Sequence, residues 1–300
     1  IIGSNGYEST YIFTINERVS HLENNGIYTG SVTPLIPNTT LELDGNPYIS
    51  GTKITEIGNH ILTVKGSNGY IKEYHFTIDF ETPGLEDGGI YDNFIEPIII
   101  GGTATLNGEE YISGTKITEI GNHSLVIIGE NNYQKEIRFT IRSNFPEKTY
   151  TTSVSPNINA ELMILNGSVY NNEVIDSVGK YELSIMGRGG FKQTITFEIV
   201  PNYGVKNEGS YEEEVIPIIS GVNAIYEIDG KPYIPGEKIT SVGHHTLTVI
   251  GNNGYEVCIS FTVIEKANIL NNSPHFKSVT IDIPNAELFL NGESYTNKTE

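Results

Sequence analysis

The chain has 300 residues, 37% of them hydrophobic, with no tryptophan, one cysteine and a formal net charge of −19. Its 18 Lys and Arg are scattered among 37 Asp and Glu, which excludes a nucleic-acid binder, whose phosphate contacts need clustered cations, and disfavours docking on anionic lipid. The lone Cys258 excludes an intrachain disulfide, and the acidic excess reads as solubility.

In chain order, residues 2–15 (IGSNGYESTYIFTI) read as the closing half of a unit whose opening lies upstream. Ser31–Pro37 then reads as an opening strand, with Pro34 marking it as an edge because proline cannot donate to a ladder. Next come a strand at Leu41-Glu42-Leu43, a turn at Asp44-Gly45, a short strand through Lys53-Ile54-Thr55, and a hairpin over Leu62–Ile78. In that hairpin His60, Leu62 and Val64 share one face, and Tyr70, Tyr74, Phe76 and Ile78 share one face of the return strand. Gly66-Ser67-Asn68-Gly69 supplies the turn, where Asn and Gly adopt positive φ at low cost.

The same text then recurs. The pattern [Asp/Asn]-Gly-x-x-Tyr appears at Gly45/Tyr48, Gly108/Tyr111, Gly167/Tyr170, Gly230/Tyr233 and Gly292/Tyr295, with glycines 63, 59, 63 and 62 residues apart. Residues 48–60 and 111–123 are identical, YISGTKITEIGNH; the fourth copy reads YIPGEKITSVGHH, and the third diverges most, YNNEVIDSVGKY. A histidine recurs at His60, His123 and His245, replaced by Tyr181 in the third copy. A strand phenylalanine recurs at Phe13, Phe76, Phe139, Phe197 and Phe261, and an aromatic after the hairpin turn at Tyr7, Tyr70, Tyr133, Phe191 and Tyr255; aromatics at fixed phase on one face read as core. A repeat of this length means one small module copied in a row. The divisions are 1–26, the C-terminal part of a repeat; 27–87, 88–145, 146–204 and 205–265, four full repeats; and 266–300, the N-terminal part of another. The chain is accordingly expected to be a segment of something longer, so the lack of a visible leader or anchor carries no weight. No window shows helical periodicity, and strands with turns every ~8–12 residues predict small antiparallel β-sandwiches in tandem, forming an elongated rod.

The pattern D/N-G-x-x-Y-x-x-G-x-x-I-T-x-x-G-x-H-x-L-x-V, followed by G-x-N-G-Y and F-T-I, resembles the tandem Ig-like domains of large surface proteins of Gram-positive bacteria. The resemblance implies an all-β array, extracellular and attached to the cell surface or wall, serving as a stalk that presents other domains. It leaves open a directly adhesive array that binds host glycan or protein, and an accessory region of a secreted glycosidase or peptidase.

Candidate chemistry is sparse. The recurring histidine reads as a ring packed at the core's edge with one nitrogen hydrogen-bonded, because no second His or Cys stands at ligand spacing and Tyr181 takes its place once. The recurring tyrosine reads as a corner residue whose hydroxyl returns to backbone, in preference to a sugar-stacking platform. The acidic clusters Glu86-Asp87, Asp92-Asn93 and Glu212-Glu213-Glu214 lack the spacing of a calcium loop and do not recur. Lys53, Lys116 and Lys238 recur, but Val174 stands at the third equivalent, which argues against internal isopeptide bonds. With no nucleophile elbow, P-loop or H-E-x-x-H, the expectation is a non-enzyme without metal or cofactor, whose partners are the neighbouring repeats and, for an adhesive array, a host glycan or protein, with no nucleic acid and no insertion into membrane. Linkers are expected near Thr82–Gly89, Ser143–Glu147, Pro201–Gly209 and Ala267–Ser273. An adhesive array is expected to concentrate a groove or exposed aromatics in one unit; the third is the odd one, with Met163, Met186 and Arg188-Gly189-Gly190, but it shows no evident aromatic patch.

Overall fold

A computed structural model describes residues 1–2, 4–11, 19–37, 39–66, 69–129, 133–266, 280–281, 283 and 287–296. Phe13, the Ser67-Asn68 pair and the linker at Ala267–Ser273 lie outside the described residues. Among the described residues every regular element is a strand. The chain divides into two compact units, 1–142 and 143–300.

The first unit holds two five-stranded sheets. One comprises β1 (Gly26–Thr29), β2 (Thr40–Leu43), β3 (Asn46–Tyr48), β4 (Gly58–Lys65) and β5 (Ile71–Asp79), in spatial order β1-β5-β4-β2-β3. The other repeats that order with β6 (Gly89–Asp92), β7 (Thr103–Leu106), β8 (Glu109–Tyr111), β9 (Gly121–Ile128) and β10 (Gln134–Arg142). The second unit does the same twice, with β11 (Thr149–Tyr150), β12 (Leu162–Leu165), β13 (Ser168–Val169), β14 (Gly179–Gly187) and β15 (Phe191–Ile199), then β16 (Gly209–Glu212), β17 (Ile225–Ile228), β18 (Lys231–Pro232), β19 (Gly243–Ile250) and β20 (Glu256–Ile264). A hairpin of β21 (Leu288–Leu290) and β22 (Glu293–Tyr295) follows. The four sheets define modules 1 to 4. The fold is the tandem all-β, Ig-like array that the repeats imply.

Period-two alternation builds each sheet. In β4 the buried residues are Gly58, His60, Leu62 and Val64, and in β5 they are Tyr74, Phe76 and Ile78. A thinner second layer closes the core. It is pinned by single bridges, Val32 to Ile54 in module 1 and Ile95–Ile117, Val154–Ile175 and Val215–Ile239 in the others. Val32, Ile36 and Ile54 are buried there. This corrects the sequence reading of two strands at Ser31–Pro37 and Lys53–Thr55: they meet only in the Val32–Ile54 bridge, with a further bridge from Leu35 to Ser20, and Pro34 between the two has no N–H to join them into a ladder. The first true strand lies earlier, at Gly26–Thr29, and runs parallel to β5 with Gly26 opposite Phe76. One parallel pair is thus added to an otherwise antiparallel sheet.

Within each unit, adjacent modules interlock. Ile57, just before β4, is buried and sits against Gly101 and Gly129 of module 2, where an added Cβ would lie 2.6 and 3.0 Å from its side chain. Val178 is the equivalent in module 3. It belongs to the core cluster of module 4, and a Cβ on Gly251 would fall 2.3 Å from its carbonyl oxygen. Asn252 N–H donates to Val178 O at 2.7 Å, and Val178 N–H donates to Asn223 O at 2.9 Å. In unit 1, Phe80 stacks on Tyr133 at 5.5 Å, and Asp79 takes Lys135 Nζ at 2.5 Å and the Tyr133 hydroxyl at 3.2 Å. Tyr255, equivalent to Tyr133, meets Tyr203 hydroxyl to hydroxyl at 3.2 Å. The aromatic after the hairpin turn therefore serves the junction with the preceding module at these two places, a role that reading it as intramodular core did not foresee.

Candidate functional site

Each Asp/Asn-Gly turn has left-handed backbone at both central residues: φ is 49° and 80° at Asp44-Gly45, and 48° and 85° at Asn166-Gly167. That is the signature of a two-residue type I′ hairpin turn, which joins β2 to β3. The turn's first side chain also reaches the next strand. Asp44 Oδ1 accepts the Ile61 N–H at 2.8 Å, Asn107 Oδ1 that of Ser124 at 3.0 Å, Asn166 Oδ1 that of Glu182 at 2.8 Å, and Asp229 Oδ1 that of Thr246 at 2.8 Å.

The histidines are drawn into the same latch. His60 Nδ1 meets Asp44 Oδ2 at 2.7 Å, and its Nε2 meets the Glu56 carbonyl at 2.7 Å. His245 meets Asp229 Oδ2 and the Ser241 carbonyl in the same way, each at 2.7 Å. In module 2 the Asn107 amide oxygen is already taken by Ser124, so its Nδ2 donates to His123 Nδ1 at 3.1 Å, and His123 Nε2 donates to Glu119 O at 2.8 Å. All three rings are buried. His60 and His123 stack on the strand phenylalanine, with centroids at 5.4 Å (Phe76) and 5.3 Å (Phe139), and His245 lies tilted against Phe261 at 5.5 Å. Both ring nitrogens are engaged, one more than expected. The signal that was missed is the fixed spacing of 16 residues between the turn's Asp or Asn and the histidine. In module 3, Tyr181 stacks on Phe197 at 5.2 Å and sends its hydroxyl to Ser177 O at 2.7 Å, while Asn166 Nδ2 turns to Lys180 O at 3.2 Å.

The tyrosines after the turns fasten the same corner from the other side. Tyr48 donates to Thr52 O; Tyr111 to Thr115 O at 2.7 Å and Pro97 O at 2.9 Å; Tyr170 to Glu173 O at 2.6 Å; Tyr233 to Glu237 O at 2.8 Å and Pro217 O at 3.2 Å. Burial pushes the Tyr111 phenol up to about 12, with Glu96 adding to it; Tyr170 is likewise raised to about 12 by burial and by Glu173. Tyr295 lies opposite Leu288 in the last hairpin, after the left-handed Asn291-Gly292 turn.

No group of three or more potential metal ligands is found among the described residues, and Cys258 is exposed. Lys53 is exposed; Lys116 lies over the Phe94 ring at 3.6 Å; Lys238 pairs with Glu214 at 2.6 Å on the surface. The charged clusters at Glu86-Asp87 and Glu212–Glu214 serve strand ends: Asp87 Oδ1 accepts the Arg138 N–H at 2.8 Å, and the Glu213 N–H donates to Ile264 O at 2.7 Å.

Module 3 differs at one further place. In modules 1, 2 and 4 the first strand starts at a glycine, Gly26, Gly89 or Gly209, preceded by a left-handed residue. A Cβ on the first two would lie 2.7 and 2.6 Å from the hydroxyl of Tyr28 or Tyr91. Module 3 has Lys148 instead, its strand shrinks to two residues, and the Tyr150 hydroxyl turns to Pro146 O at 3.0 Å. Beside the shortened strand opens a groove of about 500 Å³ lined by Tyr181, Phe197, two lysines and three glutamates.

No protein-family model and no curated protein matches the chain. Solved structures do match. A glucan-utilisation surface protein of Bacteroides ovatus, solved with a mixed-linkage heptasaccharide, is 13% identical over 71% of this chain and 77% of its own, with a TM-score of 0.20. Immunoglobulin domains 1–5 of Sidekick-1 are 10% identical over 82% of this chain and 80% of theirs, with a TM-score of 0.18. The insect immune protein hemolin is 8% identical over 83% of this chain and 99% of its own, with a TM-score of 0.17. The likeness is one of chained β-domains and extends no further.

Proposed function

We propose that this chain is a non-catalytic spacer in an extracellular bacterial surface protein, a stalk that carries other domains away from the cell. The observation that supports it is the interlocking of neighbours: Ile57 and Val178 each leave their own module to fill a glycine-floored hollow in the next. Burying such a side chain stabilises by ~1.5–3 kcal/mol, so modules 1 and 3 are each steadied by the module that follows. The recurring chemistry of the repeats, turn, ring and corner, is spent inside the module and leaves little for a substrate. Small-angle scattering from the 300-residue chain tests the reading. A spacer gives the profile of an extended string of modules. A compact profile, or turnover of any glycan or peptide by the purified chain, overturns it.

A further inference from the structure

We propose that the sheet edge at β13 of module 3 is a self-association edge, where two copies of this chain pair as antiparallel strands about a two-fold axis. The inference goes beyond the spacer role and stands independently of it.

The repeats act as internal controls. The strand after each Asp/Asn-Gly turn is the edge of its sheet, so the outward row of its backbone groups has no neighbouring strand. In module 3 the Tyr170 N–H donates inward to Met163 O at 3.0 Å. Inward and outward residues alternate along an antiparallel ladder, so the N–H and C=O of Val169, opposite Ile164, point outward. Modules 1 and 4 place Pro47 and Pro232 at that position, opposite Glu42 and Glu227, and so lack the outward donor. Module 2 places Glu110 there, opposite Thr105, with Glu109 before it. Among the four five-stranded sheets only Val169 offers both backbone groups beside an uncharged, β-branched side chain, and it is 68% exposed.

A second position changes with it. Val174, also exposed, replaces Lys53, Lys116 and Lys238. In module 4 Pro232 and Lys238 line one surface hollow, so the two positions are neighbours in the fold. Proline, charge and above all lysine are what blunt a sheet edge against strand pairing, and module 3 carries none of them at these two positions.

Charge decides which partner fits. Two chains of net charge −19 repel wherever acidic surfaces meet. Residues 166–172, Asn-Gly-Ser-Val-Tyr-Asn-Asn, carry no charge, whereas the same stretch holds Glu109 and Glu110 in module 2 and Asp229 and Lys231 in module 4. An uncharged edge gives a cationic partner nothing to hold, but it lets two acidic copies meet. With Val169 opposite Val169, each copy exchanges N–H and C=O with the other, and the facing side chains are both β-branched. At the opposite edge of the other three sheets the N–H of Gly26, Gly89 or Gly209 is already taken by the carbonyl of Glu23, Glu86 or Lys206. A like-to-like pairing that uses one edge per chain closes at two copies. The contact is smaller than the ~1,200 Å² of a stable interface, so the pairing is weak and reversible.

Sedimentation velocity of the whole 300-residue chain, from ~10 μM to ~1 mM, tests it alongside three variants. Val169→Pro installs the residue of modules 1 and 4, and Val174→Lys that of modules 1, 2 and 4. Ile49→Lys removes an aliphatic side chain that is 79% exposed in module 1. The expected result is a monomer–dimer equilibrium, weakened about tenfold or more by Val169→Pro and about threefold or more by Val174→Lys, and unchanged by Ile49→Lys, with melting cooperative throughout. In a Cys258→Ser background, Val169→Cys is expected to form an interchain disulfide on oxidation, because paired strands hold facing Cα atoms ~5.5 Å apart. A single species at every concentration overturns the proposal. So does association that Val169→Pro leaves intact or that Ile49→Lys weakens equally. Capture of an unrelated β-branched peptide by a chain that does not pair with itself overturns the choice of partner.

Discussion

Module 1 ties its fourth strand to its first turn through two groups, the Asp44 carboxylate and the His60 ring, whereas module 3 makes the same closure with Asn166 alone. In module 1 the turn's side chain spends one oxygen on the Ile61 N–H and the other on the imidazole. In module 3 the amide keeps the backbone bond, and the ring above it is a tyrosine that reaches its own loop. The backbone bond is common to every full module and the ring bond is not. The closure therefore depends on the turn residue's reach to β4, and the ring position is free to change as long as it stacks on the strand phenylalanine. That freedom is where module 3 departs from its siblings.

Removing the ring should give the largest effect in either module. Tyr181→Ala and His60→Ala each delete a buried aromatic from the Phe197 or Phe76 stack, and each is expected to cost ~3–4 kcal/mol. Hydrogen exchange of the β14 and β4 amides reads the two modules separately. Equal protection before and after either substitution would contradict the stacking argument. Next in size, Asp44→Ala removes two hydrogen bonds and a residue suited to positive φ, for ~2 kcal/mol, while Asn166→Ala removes the backbone bond and a longer contact to Lys180 O, for ~1 kcal/mol. A larger loss at Asn166 would reverse the comparison.

Alkaline pH should sharpen it further. The Tyr170 phenol is raised to about 12 in the folded module, above its ordinary value near 10. A group raised in the fold lends stability below its unfolded value and loses it as pH climbs to the folded one, so module 3 should weaken between pH ~10 and ~12. Tyr170→Phe should flatten that decline, with amide exchange across β14 as the readout. The smallest effect is expected for Asp44→Asn, at under ~1 kcal/mol, because module 2 already pairs Asn107 with His123. A cost above ~2 kcal/mol, by the same exchange measurement, would mean that the carboxylate does something the amide cannot.

Much of this was legible in the sequence, and the gaps have physical causes. Alternation along Leu62–Ile78 fixes which face is buried, and Asp-Gly or Asn-Gly between short apolar runs fixes the turn, because both are local. The parallel strand at Gly26–Thr29 escaped notice because a parallel pair needs no hairpin to announce it, and because its large apolar side chain, Ile27, points outward and is 71% exposed. The latch escaped because Asp44 and His60 are joined only after β4 folds back beside β2. The junction roles of Ile57 and Val178 escaped because nothing in a single repeat shows what the next one brings.

Those two side chains give the array a direction. Modules 1 and 3 each project a branched aliphatic forward into a glycine hollow of the module that follows, so within each unit the module in front cannot be exchanged for the one behind. A fragment ending after β15 would expose Val178 to water, and one beginning at β16 would leave the hollow at Gly251 empty. Sensible cuts for dissecting this protein therefore keep modules 1 and 2 together and modules 3 and 4 together. A reshuffled order would fold well only where the incoming neighbour presents a small backbone at the positions of Gly129 and Gly251.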